Sequence, residues 1–285
     1  MKRNNNHIHW YPGHIAKAER KLKEQLSLVD AVIEVIDARI PLSSCYDNIS
    51  GLLKDKPRFL LVNKSDLVEQ SELVPFVEIL KQNSQTDVLV TSVKNSKDIN
   101  LIVKTAQRLA EPKIQAIMAK GLLRRPARIM VVGLPNVGKS TIINKLTRSS
   151  KTKTGAKAGV TRQQQWVRIN PQLELLDTPG IIPMRQEDQN RAVKLAFVNS
   201  VGDNAYSNDT IAAKLLEVLN EKQKNIFKNF YKLQNETDLT VENIALERKW
   251  LSAGGSADIE RTSGYILKDF REGKIGKFIL DDINN

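Results

Sequence analysis

The sequence predicts an α/β domain built on a mostly parallel sheet, followed by a small all-α domain. Three observations carry this. The short apolar, β-branched runs Ala31–Asp37, Arg58–Val62, Asp87–Val90 and Ile129–Val132 each end in a polar loop, as strands buried on both faces do. Stretches with helical spacing of apolar residues separate these runs, and strands alternating with helices make a parallel sheet. Beyond about residue 184 the alternation stops and only helical spacing remains. Residues 1–184 are therefore expected to form the α/β domain and residues 185–285 the helical one.

Taken in order, His9 to Ala18 carries aromatics and a Pro-Gly turn, and Lys17 to Leu28 follows as an amphipathic helix with Ala18, Leu22 and Leu26 on one face. The strand Ala31–Asp37 closes on the loop Asp37-Ala38-Arg39-Ile40-Pro41, and a short helix is expected over Asn48–Lys54. Strand Arg58–Val62 runs into Asn63-Lys64-Ser65-Asp66, and Leu73, Phe76, Val77 and Leu80 share one face of a helix over Glu72–Gln82. Strand Asp87–Val90 ends in Thr91-Ser92-Val93-Lys94. Two helices are expected next, Ile99–Ala110 and Ile114–Leu123, with Pro112 as the breaker between them. Strand Ile129–Val132 leads to a helix over Lys139–Thr147 and then a Lys/Gly/Ala-rich loop, Ser149 to Gly159, expected to be mobile without ligand. Strands Gln165–Ile169 and Leu173–Leu176 complete the domain, the second closing on Asp177-Thr178-Pro179-Gly180. Helices are then expected over Arg191–Ser200, Thr210–Leu219, Gln223–Leu233, Val241–Ser252 and Asp258–Arg271.

A length of 285 residues accommodates two ordinary domains. Cys45 is the single cysteine, so no intramolecular disulfide can form and a reducing compartment is expected. No run of 18 apolar residues exists and Met1–Asn6 lacks the apolar core of a secretion signal. The expectation is a soluble, cytoplasmic, monomeric protein with no membrane partner. Its net charge of +12 is unevenly placed: residues 184–285 hold 15 Lys+Arg against 16 Asp+Glu, whereas residues 113–168 hold 13 Lys+Arg and no acid. That basic segment, with Arg124, Arg125, Arg128, Lys145, Arg148, Lys151, Lys153, Lys157 and Arg162 in it, points to a polyphosphate partner, RNA or DNA, bound in a salt-dependent way.

Gly133-Leu134-Pro135-Asn136-Val137-Gly138-Lys139-Ser140-Thr141 fits the phosphate-loop pattern G-x-x-x-x-G-K-[ST] and directly follows a strand. In such a loop the backbone N–H groups of Asn136 to Thr141 close around phosphates. Lys139 reaches the β- and γ-phosphates, Ser140 ligates Mg²⁺, and the next helix aims its positive end at the anion. Asn63-Lys64-x-Asp66 is the second decisive motif. The Asp66 carboxylate can accept both N1–H and the N2 amino hydrogens of guanine, which adenine cannot offer. Asp177 is expected to hold Mg²⁺ through water and the Gly180 N–H to face the γ-phosphate. Thr161, the only threonine just after Gly159, is the candidate for a second hydroxyl on the Mg²⁺ side, and Thr91-Ser92 are expected to back the guanine.

A Ras-like GTPase runs P-loop, switch threonine, D-x-x-G, N-K-x-D and then the loop that backs the base. Here the order is N-K-S-D, T-S-V-K, P-loop, Thr161, D-T-P-G, the same cycle opened elsewhere: a circularly permuted Ras-like P-loop GTPase domain. The termini of compact domains often lie close together, so the sheet can survive the cut. The chain then leaves the GTPase domain directly after its second switch, and a γ-phosphate-dependent movement would pass through the linker near residues 181–190.

The chain resembles the circularly permuted GTPases that assemble ribosomes, specifically the bacterial ribosome biogenesis GTPase A group. The resemblance spans nearly the whole chain and rests on Trp10-Tyr11-Pro12-Gly13-His14-Ile15-Ala16-Lys17-Ala18, Asp37-Ala38-Arg39-Ile40-Pro41, Asn63-Lys64-Ser65-Asp66, the P-loop, Asp177-Thr178-Pro179-Gly180 and Asp269-Phe270-Arg271-Glu272-Gly273-Lys274-Ile275-Gly276. Ile15 stands where the family usually has Met, and Thr91-Ser92-Val93 where S-A-K is commoner. The resemblance implies late maturation of the large (50S) ribosomal subunit, contact with the subunit precursor and its rRNA, and GTP hydrolysis to GDP that is slow alone and stimulated by the particle. Where Ras-like enzymes place a water-orienting Gln, this chain has Ile181. The family offers two replacements: a K⁺ ion held with help from Asn136, and the imidazole of His14. His14, Lys139 and Thr161 are thus the catalytic candidates. Two other readings stay open, a nucleotide-gated RNA-binding module with hardly any turnover and a GTPase of tRNA modification or signalling without a ribosomal partner.

Overall fold

The computed structural model describes residues 12–46, 49–53, 56–92, 96–149, 166–177, 180–181, 188–202, 205–234 and 238–283. These fall into two compact units, one within Tyr11–Arg185 together with Asp281–Asn285 and the other within Gln186–Leu280.

The first unit is organised on a sheet of β1 (Ala31–Asp37), β2 (Arg58–Asn63), β3 (Val88–Val90), β4 (Ala127–Gly133), β5 (Trp166–Asn170), β6 (Leu173–Leu176) and β7 (Gly180–Ile181). The order is β3-β2-β1-β4-β6-β5, with β7 pairing β4. Every pairing is parallel except β5 with β6. All of β1 is buried, because it lies between β2 and β4 and its β-branched residues meet protein on both faces. From β1 the chain steps to β2 and β3 on one side, then returns to β4 on the other. That reversal opens a crevice at the carboxyl ends of β1 and β4, where α/β sheets place their ligands.

Around the sheet lie α1 (Pro12–Leu26), α2 (Ile49–Leu53), α3 (Gln70–Ser84), α4 (Ser96–Met118) and α5 (Lys139–Ser149). Two sequence expectations are corrected here. The Pro-Gly pair expected to form a turn ahead of α1 is its first turn. A proline suits that place, since its missing N–H has no helical partner there and its φ is already set. The two helices expected around Pro112 are one, α4. Ile99, Ile102, Ala106, Ala110 and Ile114 are all buried at intervals of three and four, so one apolar stripe crosses the proline. Its burial against β1 and β4 outweighs the single hydrogen bond that Pro112 removes.

The second unit holds α6 (Gln189–Phe197), α7 (Asn208–Lys222), α8 (Ile226–Tyr231), α9 (Val241–Glu247) and α10 (Ile259–Arg271). Its core includes Leu195, Ile211, Leu215, Leu219, Phe227, Ile244, Ile266 and Phe270. The guanidinium of Arg271 donates to Phe197 O (3.0 Å) and Ala196 O (2.9 Å) at the end of α6, where Ala196 O also accepts from Asn199 N (3.1 Å). Asp258 and Thr240 cap α10 and α9 by accepting from Arg261 N and Asn243 N. Both α8 and α9 are shorter than their apolar spacing predicts. Asn225 (φ 65°) and Lys232 (φ 54°) bound α8 with left-handed residues, and Lys249 (φ 56°) follows the end of α9. Among the described residues no helix is long and apolar enough to cross a membrane.

Candidate nucleotide-binding site

The phosphate loop leaves β4 at the crevice, and two of its glycines are dictated by what they touch. Gly133 pairs with Val35 of β1, and a Cβ there would sit 2.5 Å from Val35 O at a φ of 151°. Gly138, at φ 105°, lies so close to Asn63 that a Cβ would overlap its Nδ2. Asn63 donates from Nδ2 to Val137 O at 2.9 Å. Lys64, in the left-handed region at φ 62°, donates from Nζ to Asn136 O at 2.7 Å and to Asp37 Oδ2 at 2.8 Å. The two motifs that sequence separates by about seventy residues are thus joined through backbone carbonyls. Lys139 folds back on its own loop, donating to Leu134 O at 2.5 Å. Burial, with the neighbouring Lys64 charge, pushes its pKa down to about 8. Ser140 and Thr141 follow in the exposed first turn of α5.

The loop expected to read the base is assembled from β2 and β3. Thr91 N donates to Val62 O and Ser65 N to Thr91 O, which sets the loops after the two strands side by side. Ser92 Oγ then donates to Asp66 Oδ1 at 2.8 Å, while Ser92 N donates to Asp98 Oδ2 in the first turn of α4. The serine expected to lie behind the base thus holds the Asp66 carboxylate. Asn63 Oδ1 and Thr91 Oγ1 are buried without a partner.

Asp177 is exposed and immediately follows β6, which runs parallel to β4 with Leu175 opposite Ile129. Asp177 and the phosphate loop therefore leave the same edge of the sheet. Gly180 and Ile181 form β7 beside Val132 and Gly133, so the end of the D-x-x-G loop lies against the root of the phosphate loop. Ser140 and Asp177 offer the hard oxygen donors that suit Mg²⁺, which takes one or two protein ligands beside phosphates and water. Asn136, in the phosphate loop, is exposed and left-handed at φ 57°. The backbone of His14 is in the first turn of α1, and α1 packs against β7. Its side chain lies outside the described residues, as do Thr161, the loop expected to be mobile, Thr178 and Pro179.

A family model described as a 50S ribosome-binding GTPase matches residues 128–243, beginning in β4. Ribosome biogenesis GTPase A of Bacillus licheniformis is 37% identical over 272 residues, 94% of this chain and 96% of that protein. The chain belongs to the ribosome biogenesis GTPase A family. Its fold agrees with two solved structures: GDP-bound YlqF (TM-score 0.64, 26% identity, 93% of this chain and 100% of that one) and GNP-bound YlqF from T. maritima (TM-score 0.62, 27% identity, 94% and 100%). It is a GTPase with a circularly permuted P-loop domain, and the Asn63-Lys64-Ser65-Asp66 motif lies ahead of the region matched by the family model.

Two features of this ribosome biogenesis GTPase A chain escaped the sequence. Asp37, fully buried at the end of β1, accepts from Arg39 N (3.1 Å), Arg39 Nε (2.9 Å) and Arg39 Nη2 (2.7 Å) besides Lys64. Burial alone would raise its pKa, but the Arg39 and Lys64 charges outweigh it and hold the group well below the usual carboxylate range. The sequence marked Asp37 only as a carboxylate closing an apolar strand and as the start of Asp37-Ala38-Arg39-Ile40-Pro41, without a role. The segment 113–168 is acid-free in sequence but not in space. Arg124 pairs with Glu111 (2.8 Å), Arg125 with Asp30 (2.7 Å) and Arg128 with Glu174 (3.7 Å), and Arg128 also stacks over Trp166. Those three arginines are engaged with carboxylates from outside the segment.

Proposed function

We propose that this GTPase acts late in maturation of the large (50S) ribosomal subunit, binding the precursor particle and its rRNA in one nucleotide state and leaving it in the other. The observation that carries the reading is the joining of the guanine-reading and phosphate loops by Asn63 and Lys64, in a chain belonging to a ribosome biogenesis family. Asp66, aligned by Ser92, reads the guanine edge, with Thr91 supporting that loop. The N–H groups of Asn136, Val137, Gly138, Lys139, Ser140 and Thr141 cradle the phosphates. On binding, Lys139 exchanges the carbonyl of Leu134 for the β- and γ-phosphates. Ser140, Thr161 and Asp177 hold Mg²⁺, which neutralises phosphate charge when bound, and the Gly180 N–H senses the γ-phosphate.

Ile181 stands after D-x-x-G and has no group to align water. His14 supplies the alignment in this reading, supported by the packing of its helix on β7, and Asn136 helps to hold K⁺ beside the phosphates. Residues 1–184 carry the chemistry, in a monomeric, cytoplasmic factor. Hydrolysis measured in K⁺ against Na⁺, with and without large subunits, tests the mechanism: stimulation by both K⁺ and particle is expected, and the absence of both would overturn it. Cosedimentation with large subunits in a non-hydrolysable GTP analogue tests the partner, and free protein at moderate salt would count against it. Ile181 favours one rival, a nucleotide-gated RNA-binding module, which predicts cosedimentation without stimulated turnover.

A further inference from the structure

We propose that Asp37 is a positioning residue of the nucleotide site: its buried carboxylate fixes the Lys64 ammonium on the carbonyl of Asn136 and so aims the phosphate loop. The proposal rests on the reading of this crevice as the guanine-nucleotide site.

Strand register delivers the carboxylate. Asp37 lies opposite Asn63 in the β1–β2 pairing, and Ala38 N donates to Asn63 O at 2.9 Å. Behind it, Asp37 N donates to Ser44 Oγ (3.0 Å), whose hydroxyl donates to Ile40 O (2.7 Å), so the group is braced by its own loop. A buried carboxylate is costly unless its charge is paired, and Arg39 alone, 2% exposed, does this through a guanidinium fork and a backbone amide. Neutralising Asp37 therefore does not require Lys64. The dependence runs the other way. A lysine ammonium is a flexible point charge with three donors, and this side chain is 21% exposed, so it has a route to solvent. Its bonds to Asp37 Oδ2 (2.8 Å) and Asn136 O (2.7 Å) hold it at the crevice.

Peptide planarity carries the consequence into the phosphate loop. In a trans peptide the carbonyl of one residue and the N–H of the next point in opposite directions. Lys64 holds the Asn136 carbonyl and thereby sets the direction of the Val137 N–H. Asn63 holds the Val137 carbonyl at 2.9 Å and sets that of the Gly138 N–H. Both amides are turned away from residues 63 and 64, as a loop that must face a phosphate requires. Asn136 adopts a left-handed conformation at φ 57°, which asparagine reaches more readily than other L-residues with a side chain, and the Lys64 bond holds its carbonyl in that geometry.

With Asp37→Asn, Arg39 and Lys64 become two cations without a carboxylate between them, and Lys64 swings to solvent. Hydrogen bonds to charged groups are strong enough that GDP affinity is expected to fall roughly tenfold to a hundredfold. Affinity and off-rate of a fluorescent GDP should be measured for the unaltered chain, Asp37→Asn, Lys64→Met and the double variant, with melting temperatures of the nucleotide-free proteins. If Asp37 acts through Lys64, the double variant binds GDP as Lys64→Met does, within about twofold. A merely structural Asp37 gives a further loss of about tenfold in the double variant, which overturns the proposal. Should Asp37→Asn alone not fold, the comparison of the double variant with Lys64→Met still decides, because that pair leaves no unopposed second cation. Asp37→Asn that folds and binds GDP normally overturns the positioning role and leaves the site assignment standing. Failure of the unaltered chain to bind GDP overturns both.

Discussion

Lys139 keeps its ammonium on the carbonyl of Leu134, 2.5 Å away inside its own loop, and is buried there beside the charge of Lys64. Burial first, and Lys64 second, lower its pKa from 10.5 to about 8. The unfolded chain holds this proton to higher pH, so between about 8 and 10.5 the folded, nucleotide-free protein binds fewer protons and this residue's stability contribution rises with pH. Nucleotide binding has the opposite sign, since a polyphosphate favours the charged lysine. GDP affinity is expected to be level near pH 7 and to fall above pH 8 by up to about tenfold per unit, with proton uptake on binding visible as a buffer-dependent heat in calorimetry. Lys139→Arg should flatten the slope, because a guanidinium stays charged throughout. A level affinity from pH 7 to 9 in the unaltered chain would show that Lys139 is already charged in the empty loop. Residues such as Lys139 and Asp66 are legible in the sequence because their motifs are local. The pairing of Asp37 with Lys64 is not, because it depends on β1–β2 register that places Asp37 opposite Asn63. The same holds for Arg125, whose partner Asp30 lies 95 residues away.

Element by element, the apolar patterns located every strand but the two-residue β7, since burial on both faces leaves a continuous run, as in β1. They were less reliable for helices where a local breaker opposed a tertiary stripe. Pro112 signalled an end, yet Ala110 and Ile114 on either side of it are buried on one face of α4. In the helical unit the spacing was right and the ends were too long, because Asn225, Lys232 and Lys249 take left-handed conformations that a side-chain pattern does not reveal. The continuity of α4 makes a prediction. Pro112 is exposed, so Pro112→Ala removes no core contact and returns an N–H to the helix. A proline in a helix interior costs about 3 kcal/mol, while the unfolded chain regains freedom worth about 0.4–1 kcal/mol when proline is removed. The variant is therefore expected to be more stable by about 2–2.6 kcal/mol in urea unfolding followed by far-ultraviolet circular dichroism. A destabilised variant would mean that α4 depends on the distortion proline imposes.

For the whole molecule, permutation moves guanine selection ahead of the phosphate loop and sends the chain into helices soon after β7. The motif order exposed that much in the sequence. It did not expose the return of the chain: Asp281, after the last helix, belongs to the first unit. Its carboxylate, 5% exposed, accepts from Leu42 N (2.8 Å), Ser43 N (2.9 Å) and Ser43 Oγ (2.5 Å). These donors follow the loop that begins at Asp37, and Ser44 next to them accepts from Asp37 N. The end of the chain thus closes the α/β unit on the loop that braces the nucleotide crevice. Removing the carboxylate with Asp281→Ala strands two backbone donors, at a cost of about 2 kcal/mol for charge-assisted bonds of this kind. Asp281→Asn keeps one carbonyl acceptor and should recover about half. Urea unfolding of the full chain measures both, and its α/β transition should shift to lower denaturant in the order Ala, Asn, unaltered. If that transition is the same in all three, the C-terminal carboxylate is incidental and the loop after β1 holds its shape unaided.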